Sequence, residues 1–269
     1  MSKLHIDQNN SLYYEYVESE QNSYTYVFVN ALTGNTSAWS GVIGKRVKDE
    51  GYGYLTYNFR GQINTNFDES INLTSEIITS DLLKLINHLN LKNIILCGLS
   101  IGGLYAAIVS LEKIDVKGLV LINTLRKSSS RLEWINRAMV NAAKLGGSAL
   151  ITDIWMPVIT SPKFLNKVKN NALVFENYKP LDENEGIFKL MEGSLNADWS
   201  FDWSKINVPT LVMTGHLDKM FRIPEDIEEL TTKIKNPITI ELPSCGHLIP
   251  LEEPEQFSDH IINFAKNLN

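Results

Sequence analysis

The stretch Gly98-Leu99-Ser100-Ile101-Gly102 sets a serine between two glycines, where two segments with different conformational demands meet. Before it runs Asn93-Ile94-Ile95-Leu96-Cys97, short and apolar. After it runs Gly103-Leu104-Tyr105-Ala106-Ala107-Ile108-Val109, which suits a helix. A strand that turns straight into a helix must reverse within a residue or two, and small neighbours let the two backbones approach. The residue at the apex is then strained, with its side chain standing clear of the strand's carboxyl end. A hydroxyl held there is presented for nucleophilic attack, so this turn constrains architecture and chemistry together.

The rest of the chain repeats the alternation of strand and helix. Segments at 13–17, 24–30, 52–58, 118–123, 209–215 and 237–242 read as strands. Segments at 39–49, 79–91, 224–233 and 254–268 read as helices, with Ser80-Asp81 as a polar cap near the start of the second. Gly118-Leu119-Val120-Leu121-Ile122-Asn123 shows no in–out alternation, as expected of a parallel strand covered on both faces. This order predicts an α/β fold: a mostly parallel, doubly wound sheet with helices on both faces. Between 125 and 205 the strand rhythm stops, and bulky residues such as Trp134, Trp155, Phe188 and Trp199 gather on helix-like sequence. The pattern divides the chain into a first core part over 1–124, an inserted helical cap over 125–205 and a second core part over 206–269. A pocket is expected beneath the cap.

Composition narrows the partners. The chain has 25 Lys and Arg against 31 Asp and Glu, a formal net charge of -6, with no basic cluster to reverse it locally. No general attraction for nucleic acid or for an anionic membrane surface is expected. No apolar run reaches the ~20 residues of a membrane span, and the first residues lack a signal-peptide core, so the expected setting is the cytoplasm. Cys97 and Cys245 read as unpaired buried thiols. No cluster of His, Cys, Asp and Glu has metal-ligand spacing, and no phosphate-cradling glycine motif is present, so neither a metal nor another cofactor is implied. The expected partner is a small molecule; oligomeric state is not readable from the sequence.

A serine hydroxyl needs a general base, and the base needs an orienting acid. Asp218 follows a strand in Gly215-His216-Leu217-Asp218, and His247 follows the next strand in Cys245-Gly246-His247. In an open α/β sheet, residues at strand carboxyl ends meet at one edge. With these landmarks, and with Gly246-His247-Leu248-Ile249-Pro250 followed by Glu253-Pro254, the chain resembles the α/β-hydrolase fold superfamily over nearly its whole length, as a serine hydrolase with a helical cap.

The resemblance implies Ser100 as nucleophile, His247 as base and Asp218 as acid, with the backbone amides of Leu32 and Ile101 forming an oxyanion hole. It implies hydrolysis of a small to medium carboxylic ester through an acyl-enzyme. The alternatives are an acyltransferase, thioesterase or C–C bond hydrolase using the same triad, and a non-catalytic ligand receptor. Asn30-Ala31-Leu32-Thr33-Gly34 resembles the corresponding loop of some acyltransferases in the superfamily. Two positions depart from the usual pattern. Asn30-Ala31 stands where relatives often carry His-Gly, and Ala31 reaches positive φ less cheaply than glycine does. Asn58, in Asn58-Phe59-Arg60-Gly61, stands where many relatives have Asp; Arg60 there reads as a structural hydrogen-bond donor. His216 reads as lining its turn.

Overall fold

The unalternating apolar runs become the central strands of one sheet. The computed structural model, which describes residues 2–20 and 23–268, contains β1 (Ser2–His5), β2 (Ser11–Val17), β3 (Thr25–Val29), β4 (Gly53–Asn58), β5 (Ile94–Leu99), β6 (Val116–Ile122), β7 (Thr210–Gly215) and β8 (Ile238–Leu242). They form an 8-stranded sheet in the order β1-β2-β4-β3-β5-β6-β7-β8. The β1–β2 and β2–β4 pairs are antiparallel and all the others parallel. Every residue of β3, β5 and β7 is buried, as covering on both faces requires.

One face is covered by the helices Val42–Asp49 and Pro254–Lys266, whose Ile43, Phe257 and Ile261 pack with Tyr26, Phe28 and Trp39. The other is covered by Ser75–His88 and Ile101–Val109, with Leu82, Leu85 and Leu104 against Leu96 and Leu121. Between β6 and β7 the described chain has helices and no strand, chiefly Ser130–Ile159, Pro162–Val168 and Gly186–Ser194. The first of these is broken at Gly147 (φ 67°). These helices build their own apolar cluster, with Trp155, Phe188 and Met191 at its centre. No described helix is long and apolar enough to cross a membrane.

The strand order positions the site. β4 lies on one side of β3 and β5 on the other, so the chain reverses its direction of winding there. The loops leaving β3 and β5 diverge and open a crevice at the carboxyl edge.

Three local expectations are corrected. The sequence pattern shows no sign of β1, a short strand with a mostly exposed face. The 39–49 helix is two pieces, Ser37–Ser40 and Val42–Asp49, because Gly41 takes a non-helical ψ of -114°. The 79–91 helix begins at Ser75 after an extended Thr74, so Ser80-Asp81 is not its cap. Asp81 is instead buried and takes both prongs of Arg60, Nε to Oδ2 at 2.6 Å and Nη2 to Oδ1 at 2.8 Å. A fork-to-fork pair satisfies a buried carboxylate better than a solvent-facing cap does, and it gives Arg60 the structural role expected of it. Cys97 and Cys245 are both buried and unpaired.

Candidate active site

The turn after β5 has the strain its sequence implies. Ser100 sits at φ 59°, ψ -123°, a conformation that costs a non-glycine residue about 1–3 kcal/mol. It is held there by Ser100 N donating to Ile122 O at 2.8 Å and by Gly103 N donating to Ser100 O at 3.0 Å. The flanking glycines are required by close approach. A Cβ on Gly98 would lie 2.3 Å from Gly102 O, and one on Gly102 would lie 2.3 Å from Asn30 O. β5, its helix and the loop after β3 therefore interlock at this point. Because the strain belongs to the backbone, Ser100→Gly is expected to unfold at a higher temperature than the wild type, a gain of about 1 kcal/mol. Differential scanning calorimetry of the two proteins checks this; equal or lower stability would remove the claim of stored strain.

The turn after β7 brings in Asp218, which is 2% exposed. Its Oδ1 accepts from Met220 N at 3.0 Å and Phe221 N at 2.9 Å, while Oδ2 meets His247 Nδ1 at 2.6 Å. One oxygen is anchored by backbone and the other is left for the imidazole. Burial pushes the Asp218 carboxyl up, but the His247 ring, the Phe221 amide and the charge of Arg126 together outweigh burial and hold it below its ordinary range. With Nδ1 committed to the carboxylate, the other ring nitrogen of a neutral His247 is the one free to accept a proton. The Phe221 ring packs 5.0 Å from the imidazole, centre to centre.

Ser100, His247, Leu32 and Ile101 line one cavity, with about 870 Å³ of atom-free space including its mouth. Among the described residues Ser100 Oγ makes no hydrogen bond to His247; it accepts one from Arg126 Nη2 at 3.1 Å. An oxygen that accepts from a guanidinium keeps its own proton to donate. The backbone amides of Leu32 and Ile101 bond no acceptor among the described residues.

The loop carrying Leu32 needs no left-handed residue, for Ala31 is absent from the positive-φ positions. Asn30 holds it instead. Its side-chain amide donates to Tyr57 O at 2.8 Å and Gln62 Oε1 at 2.9 Å, and its oxygen accepts from Trp39 Nε1 at 2.7 Å. Asn58 adds a bond from Thr36 N to its Oδ1 at 2.9 Å. Both departures from the superfamily pattern are thus neutral amides in a closed, buried network. His216 sits apart from the cavity, paired with Glu241.

Three residues at the site escape sequence reasoning. Asn123, directly after β6 at φ 47°, ties that strand's end to the end of β7 and to the histidine loop: its amide nitrogen donates to Gly246 O and His247 O, and its oxygen accepts from Gly215 N. Glu252, 7% exposed, accepts from Ser161 N at 2.8 Å, Leu248 N at 3.1 Å and Gly246 N at 3.0 Å, clamping the histidine loop to the inserted helices. The third is Arg126. Their only sequence signal is a polar residue beside an apolar run or a motif.

Glu252→Ala strands these amides in a buried setting. It is expected to cost about 3 kcal/mol and to lower turnover by loosening the loop of His247; urea unfolding alongside kinetics measures both.

Residues 26–260 match the family model described as the alpha/beta hydrolase family. The chain belongs to that family. It is 28% identical over 195 residues to an uncharacterized hydrolase, YugF, of Bacillus subtilis, covering 68% of each chain. It is 24% identical over 255 residues to 3-oxoadipate enol-lactonase 1 of Acinetobacter baylyi, covering 94% of this chain and 92% of that protein. Its fold matches the crystal structure of MGS-M2, an alpha/beta hydrolase enzyme from a Medee basin deep-sea metagenome library, with a TM-score of 0.87 at 22% identity, over 100% of this chain and 98% of that one. The family match thus covers most of the hydrolase, and the likeness of fold extends over all of it.

Proposed function

We propose that this hydrolase cleaves small to medium carboxylic esters by acyl transfer to Ser100. The observation that carries the reading is the convergence on one cavity of a strained Ser100, the 2.6 Å pair of Asp218 and His247, and two unbonded amides. The relative named as an enol-lactonase supports it, a lactone being an internal ester.

In the proposed reaction His247 Nε2 takes the hydroxyl proton as Ser100 Oγ attacks the acyl carbon. Asp218 keeps the ring oriented and stabilises the imidazolium. The amides of Leu32 and Ile101 hold the oxyanion, and neither has a bond to another acceptor among the described residues to break first. The proton passes to the leaving alcohol, and the ester bond breaks to leave an acyl-Ser100. A water then gives its proton to His247 and attacks the acyl carbon; the carboxylic acid departs and Ser100 regains its proton. The cavity walls formed by Ile151, Trp155 and Met156 suit an apolar acyl or alcohol group.

The test is hydrolysis of p-nitrophenyl esters of graded acyl length, with fluorophosphonate labelling located by peptide mass spectrometry. Turnover with the label on Ser100 is expected. A well-folded protein that turns over no ester or lactone, or a label on another residue, would overturn the reading. Added alcohols in the same assay separate water from another acyl acceptor.

A further inference from the structure

Two arginines are buried among the described residues, and the fold treats them differently. Arg60 has Asp81 as its carboxylate partner. Arg126, 6% exposed, has no carboxylate within ion-pair distance among the described residues. Its Nε donates to Thr124 O at 3.3 Å, and its Nη2 to Asn123 O at 2.8 Å and Ser100 Oγ at 3.1 Å. The rings of Trp199 and Phe221 each lie 4.6 Å from its Cζ. Nη1 makes no hydrogen bond among the described residues, and the side chain lines the cavity of Ser100 and His247.

Bracing the Asn123–Thr124 turn needs donors but no charge. A buried cation with no carboxylate in ion-pair contact is costly, and here burial draws the guanidinium down to about 10, with only the charge of Asp218, beyond ion-pair distance, opposing. The arrangement makes sense if an anion arrives with the substrate. A planar guanidinium with two N–H groups free and two aromatic rings packed against it is built to take a carboxylate.

We infer that Arg126 is a specificity residue that binds a carboxylate on the substrate, so that the favoured esters are monoesters of short dicarboxylic acids. The spacing follows from the geometry. With the acyl carbon at Ser100 Oγ and a carboxylate on the guanidinium beside it, the two carbons stand roughly 4–7 Å apart, about three to five bonds. This inference rests on the ester-hydrolase reading above.

The experiment compares kcat/KM for monomethyl succinate and monomethyl glutarate with that for methyl butyrate and methyl valerate, by pH-stat titration. The wild type is expected to favour the anionic esters by about 10–100-fold. Arg126→Met should collapse that ratio, and Arg126→Lys should restore part of it. If Arg126 instead serves the oxyanion or only the turn, its loss slows anionic and neutral esters alike and the ratio stands, which overturns the inference. A wild-type ratio near one overturns it with no variant needed, so a variant that fails to fold does not shield it. If no ester is hydrolysed, calorimetric titration of glutarate into Ser100→Ala, with and without Arg126→Met, decides separately. Binding that depends on Arg126 keeps the anion site while the hydrolytic reading falls, and no binding to Ser100→Ala removes the site.

Discussion

Ser100→Ala is expected to lower kcat for ester hydrolysis by about 10⁶-fold, the scale on which loss of a serine nucleophile acts, without loss of the fold. Removing Oγ deletes one hydrogen bond, that from Arg126, and leaves the two backbone bonds that shape the turn. Alanine keeps the Cβ and hence the same backbone strain at φ 59°, so its stability should stay within about 1 kcal/mol of the wild type. The contrast with Ser100→Gly is informative: both should be inactive, but only the glycine variant relieves strain. Stopped assays with p-nitrophenyl butyrate, paired with circular dichroism, give the result. Activity above about a tenth of wild type in a folded Ser100→Ala protein would sink the assignment of this serine.

Asp218→Asn is expected to cost about 10⁴ in kcat, the loss seen when the acid of such a triad becomes an amide. The physical cause is tautomeric. Oδ1 is anchored by the amides of Met220 and Phe221, so the new NH₂ group would face His247 Nδ1 and force it to accept. The ring proton then moves to Nε2, which can no longer take one from Ser100. The same substitution has a readable acid limb. The folded protein holds Asp218 below its ordinary value of 3.8, so the unfolded chain binds the proton more tightly there. Its stabilisation is complete above that ordinary value and drains away as pH falls through the lowered native one. Thermal midpoints measured from pH 6 to pH 2, a range spanning the ordinary carboxylate values, should therefore show wild type losing its advantage over Asp218→Asn on the acid side. Parallel curves would mean that Asp218 titrates alike in both states.

Much of the site is legible in the sequence because the chemistry needs features that are local. A strand that turns into a helix within a residue must have glycine where backbones touch, and Gly98 and Gly102 announce the turn before any tertiary contact is known. Asp218 and His247 each follow an apolar strand, and the parallel sheet brings such ends to one edge. What stays illegible joins distant segments. Asn123 reaches His247 from 124 residues away, and Glu252 reaches Ser161 across 91. As sequence, each is an ordinary polar residue near a strand or a helix.

Arg126 is the sharpest case. In the sequence it is one basic residue among 25 Lys and Arg, next to Lys127. In the fold Lys127 turns outward to Asp226 and Glu229, while Arg126 turns inward against two rings to reach the serine. Spacing along the chain determined the sheet, the strained turn and the strand ends at which Asp218 and His247 stand, because steric demands and hydrophobic periodicity act over a few residues. Tertiary structure alone decided which polar side chains are sealed together around that serine, because burial and the partner for a buried charge are set by where separate segments converge.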